Sequence, residues 1–202
     1  MINDLKPTEK YPAFTDNRLS LIADALRDVR NKTLELYDPL GGDDAWSHGC
    51  RVYSRSRHAL IQLSLRHPWL SIVEEDARLR FTFAIEGIPI RFYRGSPDDP
   101  PANYLVTTYG ELAQRQLFQH RETDKILRIA VETDREGCAS TAKLVELDKA
   151  GEATGVYLIP FGIRAANVAP LEAKAIHVEP VKLEAASDKE SDVQKQKTKK
   201  AK

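Results

Sequence analysis

An α+β fold, with helices kept apart from mostly antiparallel strands, follows from three features of the sequence. Two helix-period segments fill the first third of the chain, and period-two apolar alternation takes over near Leu70. Short turn-forming stretches then divide the alternating part into strands. The predicted architecture is an N-terminal helical hairpin packed on strand meanders and followed by a disordered tail. The chain of 202 residues, 42% hydrophobic and 30% charged, is large enough for one domain with a tail. The organisation read from it is an extended lead-in over 1–15, a single α+β domain over 16–180, and a charged tail over 181–202.

The lead-in carries Pro7 and Pro12 and little periodicity. Thr15 or Asp16 then caps a predicted helix that runs to about Tyr37, with Leu19, Ile22, Leu26, Val29, Thr33 and Leu36 stacked on one face. Pro39 and Gly41-Gly42 stop it. Asp43 or Asp44 caps a second helix, which His67-Pro68 ends near Arg66. Its apolar stripe is Trp46, Cys50, Tyr53, Leu60 and Ile61, and Arg57 projects into the middle of that stripe. A charge there demands a carboxylate or carbonyl partner, because an unpaired buried charge is very costly.

Leu70-Ser71-Ile72-Val73 reads as a short strand. Phe81, Phe83 and Ile85 then alternate with polar or small residues, and after Glu86-Gly87 so do Ile88, Ile90 and Phe92. A two-residue turn ending in glycine fixes the register, pairing Ile85 with Ile88, Phe83 with Ile90 and Phe81 with Phe92. The proline-rich stretch 95–101 is a loop. Thr108-Tyr109-Gly110-Glu111 fits a capping box that opens a short helix through Leu112, Leu117 and Phe118. Strands are predicted over 126–133, 139–147 and 153–160, separated by turns ending in Gly137 and Gly151. Residues 161–180 read as an edge strand or a short helix. From Lys182 the chain is too charged to bury enough apolar surface to offset its ordering entropy.

Lys+Arg and Asp+Glu are each 30, so the net charge is zero and no whole-protein basic field exists to drive bulk nucleic-acid binding. The two cysteines, Cys50 and Cys138, read as reduced thiols of a cytoplasmic protein. The N-terminus lacks the apolar run of a signal peptide, and no stretch approaches the roughly 18 apolar residues of a membrane span. No P-loop, Gly-x-Gly-x-x-Gly or Gly-x-Ser-x-Gly motif occurs, and no two histidines share a helix face at metal-ligand spacing. The sequence therefore predicts neither cofactor nor metal. Asp134, Glu146 and Lys149 resemble, in residue type alone, the Asp…Glu-x-Lys pattern of the restriction-endonuclease-like superfamily. The lysine stands one position late, which sends it to the opposite strand face from Glu146.

The functional signal is a basic surface. Opposite the apolar stripe of the second helix lie Arg51, Arg55, His58, Gln62 and Arg66, and no acid occurs between Ala45 and Val73 to neutralise them. The hairpin adds Arg80, Arg91 and Tyr93 on its non-core face, with Arg94 at its end. Arginines beside an aromatic grip phosphates or acidic protein surfaces through forked hydrogen bonds. The expectation is a non-catalytic accessory protein that binds a protein or nucleoprotein partner. The alternative is a metal-dependent nuclease whose acidic site is assembled only in the fold.

Overall fold

A computed structural model describes residues 3–4, 6–75, 80–117, 125–148 and 150–162. The expected tail, and all but the first two residues of the 161–180 segment, lie outside them. The fold is α+β. Its elements begin with a two-residue strand β1 (Asn3–Asp4) and one helical turn α1 (Pro7–Lys10). The lead-in is thus not wholly extended. Tyr11 and Phe14 pack ring against ring at 5.2 Å and are buried in the core, as two aromatic side chains of that size must be to contribute to it.

Helix α2 (Asp16–Leu34) starts where the Thr15 hydroxyl accepts the Arg18 N–H. It buries Leu19, Ile22, Ala23, Leu26 and Thr33 along one face, as the spacing predicts. It ends before Leu36, which leaves the stripe and is 55% exposed. Helix α3 (Ala45–Ser64) opens on a reciprocal box in which Asp44 accepts from Ser47 N–H and the Ser47 hydroxyl accepts from Asp44 N–H. α2 and α3 pack against one another and onto one face of the sheet.

Strands β2 (Leu70–Glu75), β3 (Phe81–Ile85) and β4 (Ile88–Arg94) form an antiparallel meander. The register pairs Ile85 with Ile88 and Phe83 with Ile90, as expected. Glu86 and Gly87 both adopt positive φ (47° and 81°), the turn whose twist matches that of the two strands it joins. Phe81 meets Phe92 edge to face. Helices α4 (Ala102–Leu105) and α5 (Tyr109–Leu117) follow, and then β5 (Ile126–Thr133), β6 (Ala139–Leu147) and β7 (Ala153–Ile159) form a second meander.

The two meanders share one sheet, in the order β1-β7-β6-β5-β4-β3-β2. The joint is a parallel pairing of β4 with β5, in which Arg91 lies opposite Arg128 and Arg94 opposite Val131. A parallel neighbour requires a crossover, and the α4–α5 segment provides it. The larger core lies under α2 and α3 and takes Phe81, Phe83, Ile90, Phe92, Ile129 and Leu144 from the sheet. A second cluster on the other face gathers Tyr93, Ile126, Ala130, Val145 and Leu147 against Tyr104 and Leu105. Strand β3 is buried along its whole length.

That second face also holds a fully buried ion pair. Arg128 donates to both oxygens of Glu111 (2.5 and 3.3 Å), and both side chains have zero exposure. Its remaining donors reach the carbonyls of Tyr104 and Leu127 (both 2.8 Å). Glu111 completes the capping box read from the sequence, accepting the Thr108 N–H at 2.9 Å while its own N–H reaches the Thr108 hydroxyl. Two expected apolar positions of α5, Leu112 and Leu117, are instead 48% and 75% exposed, since the helix packs through Glu111.

Removing one partner strands the other as an uncompensated buried charge. Glu111→Ala is expected to destabilise the fold by about 3–5 kcal/mol, whereas Glu111→Leu with Arg128→Met should recover much of that loss. Urea unfolding of the two variants checks this; equal losses in both would show that the charges are not what matters.

Candidate functional site

Helix α3 is the element that positions most of the expected basic surface. Its apolar side faces α2 and the sheet through Tyr53, Leu60 and Ile61. Trp46, placed by spacing in that stripe, is 77% exposed because it lies in the first turn of the helix, where nothing covers it. On the opposite side Arg55 and His58 are exposed, as is Arg66 just beyond the helix end. Among the described residues none of these three has an ion-pair partner. Leu65, 75% exposed, adds apolar surface beside them.

Arg51 differs from its neighbours on that face. It is paired with Asp43 and also donates to the Leu36 carbonyl at 3.2 Å, tying α3 to the loop that precedes it. The Asp38 N–H, with the Arg51 guanidinium, holds the Asp43 carboxyl below the usual carboxylate range. Arg57 finds the partner its position demands. It donates to Glu75 at 2.8 Å while its guanidinium lies over the Phe81 ring.

The hairpin contributes less than the alternation suggests. Arg80 is exposed, but Arg91 and Tyr93 are buried beneath the α4 segment. Arg91 donates to the carbonyls of Asn103 (3.1 Å) and Val106 (3.4 Å) and stacks on Tyr104. The Tyr93 hydroxyl donates to the Ser96 carbonyl, and burial raises the pKa of that phenol. The strand face to which both belong was expected to meet solvent; it is covered because the crossover to a parallel strand passes over it. Of the basic residues expected on this surface, Arg55, His58, Arg66, Arg80 and Arg94 are exposed.

The acidic residues do not gather. Among the described residues no three His, Cys, Asp or Glu side chains come together as metal ligands. Glu146 is taken up by Lys10 (2.5 Å), the Tyr11 hydroxyl (3.1 Å) and Thr154. Asp134 closes a turn by accepting the N–H groups of Glu136 and Cys138. Glu146 pairs in register with Leu127, at the start of β5, whereas Asp134 follows its end. That separation is roughly 20 Å at the rise of a strand.

Sequence reasoning missed Arg30, Arg94 and His48 as residues of one neighbourhood. The available signal was Arg30, one turn beyond Leu26 on the buried face of α2 and as anomalous there as Arg57 is on α3. His48 is 6% exposed, neither ring nitrogen has a hydrogen-bond partner among the described residues, and its ring meets Tyr37 edge-on. Burial, and then the charges of Arg30, Arg51 and Arg94, push its pKa below the ordinary 6.5, with Asp43 opposing. No family model, curated protein or solved structure matches this chain.

Because the folded state resists protonating His48, the unfolded chain binds the extra proton once pH falls below about 6.5. Stability is then lost on acidification through that range. His48→Leu should make the fall in melting temperature between about pH 7 and pH 5 shallower than in the wild type. Identical slopes would show that His48 titrates alike in both states.

Proposed function

We propose that this protein is a non-catalytic accessory protein of the cytoplasm that binds an acidic protein or nucleoprotein partner through the exposed basic face of α3. The observation that carries the reading is the contrast within one helix. Arg51 and Arg57 are ion-paired with Asp43 and Glu75, whereas Arg55, His58 and, just past the helix end, Arg66 stand exposed with no ion-pair partner among the described residues. Leu65, next to Arg66, adds exposed apolar surface at the end of the helix. Arg80, exposed just before β3, is next in sequence to Phe81, whose ring the Arg57 guanidinium overlies.

A partner read through guanidinium groups offers carboxylates or phosphates. Because exposed charges act over only about 10 Å at 0.1 M salt, such binding weakens as salt rises. The two cysteines are unbridged, which suits a reducing compartment. Asp43 and Glu75 are each engaged by an arginine of α3, and no three potential metal ligands gather among the described residues, which favours the binding reading over the nuclease alternative.

The test is affinity recovery from native-host lysate with the wild type and with the variant Arg55→Glu/His58→Glu/Arg66→Glu. The variant is expected to lose the partner while its stability stays within about 0.5 kcal/mol per substitution, as at other exposed positions. Recovery that survives nuclease identifies a protein partner, and recovery that nuclease abolishes identifies nucleic acid. Equal recovery by the charge-reversed variant would overturn the proposal.

A further inference from the structure

A cavity of about 280 Å³ lies at the carboxyl ends of the parallel strands β4 and β5, between them and the helices α2 and α3. Crevices beyond the carboxyl ends of parallel strands are where ligands bind in open sheets. Here Leu26, Val52, Tyr53 and Phe92 form apolar and aromatic walls, and Arg30 and Arg94 bring in positive charge. The volume is close to the lower end of the ~300–1,000 Å³ range of ligand pockets, so the occupant is a small molecule.

Among the described residues, no ion pair neutralises the positive charge in this cavity. Arg30 is 5% exposed, and its one hydrogen bond to the described residues goes to a neutral acceptor, Nε to the Gly137 carbonyl at 2.7 Å. Neither Arg30 nor Arg94 has an ion-pair partner among the described residues. Asp134 lies near enough to attract Arg30, but one of its oxygens is committed to two backbone N–H groups of its turn. Burial, followed by repulsion from Arg94, lowers the pKa of Arg30. A buried guanidinium without a carboxylate in ion-pair contact, beside a second guanidinium, is unfavourable unless an anion completes the site. Arg128, fully buried in β5, by contrast has its glutamate.

We propose that this cavity binds a small organic anion, a carboxylate or phosphate carried on a flat apolar body, with Arg30 and Arg94 as its counter-charges. The apolar body lies against Tyr53 and Phe92, whose rings are already stacked at 5.7 Å. The site is distinct from the exposed face of α3 and does not depend on what binds there. Gly49 of α3 also lines the cavity, so a substitution there is a way to fill it. A Cβ at Gly49 would meet no atom within 4 Å, so a larger side chain there grows into the cavity on ordinary helical backbone.

The test is calorimetric titration of the full chain with benzoate and with phenyl phosphate, alongside benzyl alcohol as a neutral ring of similar size. At least one of the two anions is expected to bind more tightly than about 1 mM, with benzyl alcohol at least about tenfold weaker. Arg94→Gln, an exposed substitution, and Gly49→Leu should each weaken the anion at least about tenfold without lowering the melting temperature. Gly49→Leu keeps both arginines, so it separates occupation of the cavity from attraction to the surface. Failure of both anions to bind near millimolar concentration would overturn the proposal, as would equal binding of benzyl alcohol or unchanged affinity in Gly49→Leu.

Discussion

Arg128 sits in the middle of a sheet with no water to solvate it, and much of the second half of the fold is arranged to satisfy it. A guanidinium with zero exposure needs a counter-charge and acceptors for its remaining N–H groups. Glu111 supplies the charge from the first turn of α5, and Tyr104 supplies a carbonyl from α4. Arg91, across the parallel ladder, takes two further carbonyls of the same segment. Two adjacent arginines on one sheet face thereby clamp the crossover that makes parallel pairing of β4 and β5 feasible. Glu111 has a second duty at the Thr108 backbone, so the cap of α5 and the ion pair stand or fall together.

The parallel joint has consequences on both sides of the sheet. On the crossover side it buries residues that a free hairpin would present to solvent. On the helical side it brings the carboxyl ends of two neighbouring strands together below α2 and α3, leaving a cavity there. Helix α3 serves three environments around its circumference: core through Leu60, cavity through Gly49 and Val52, and solvent through Arg55 and His58. Its arginines differ accordingly. Those that reach a carboxylate hold the helix in place, and those that do not remain available to something else.

His48 shows how closely the basic residues are packed on this side of the molecule. Three arginines act on one buried imidazole, from α2, α3 and the end of β4. Asp43 opposes them, and it is already engaged by Arg51. The positive potential is thus local and internally generated in a chain whose net charge is zero. Composition averages over such a distribution and does not reveal it.

The sequence by itself determined what depends on local chemistry. The starts of the long helices came from caps at Thr15 or Asp16 and at Asp43 or Asp44, the β3–β4 register from Glu86-Gly87 and the apolar alternation, and the α5 start from Thr108 and Glu111. The later strands came from their period and their glycine turns, and the need of Arg57 for a partner from its place in an apolar stripe. Each of these is settled by residues within a few positions of one another, or by a side chain's own desolvation cost. Only the tertiary structure decided that the two meanders are one sheet, that Arg91 and Tyr93 are covered, and that Arg30 and Arg94 share a cavity. Those facts depend on which strand β4 takes as its second neighbour. Period-two alternation says that a strand has two faces, but not what will lie across either of them.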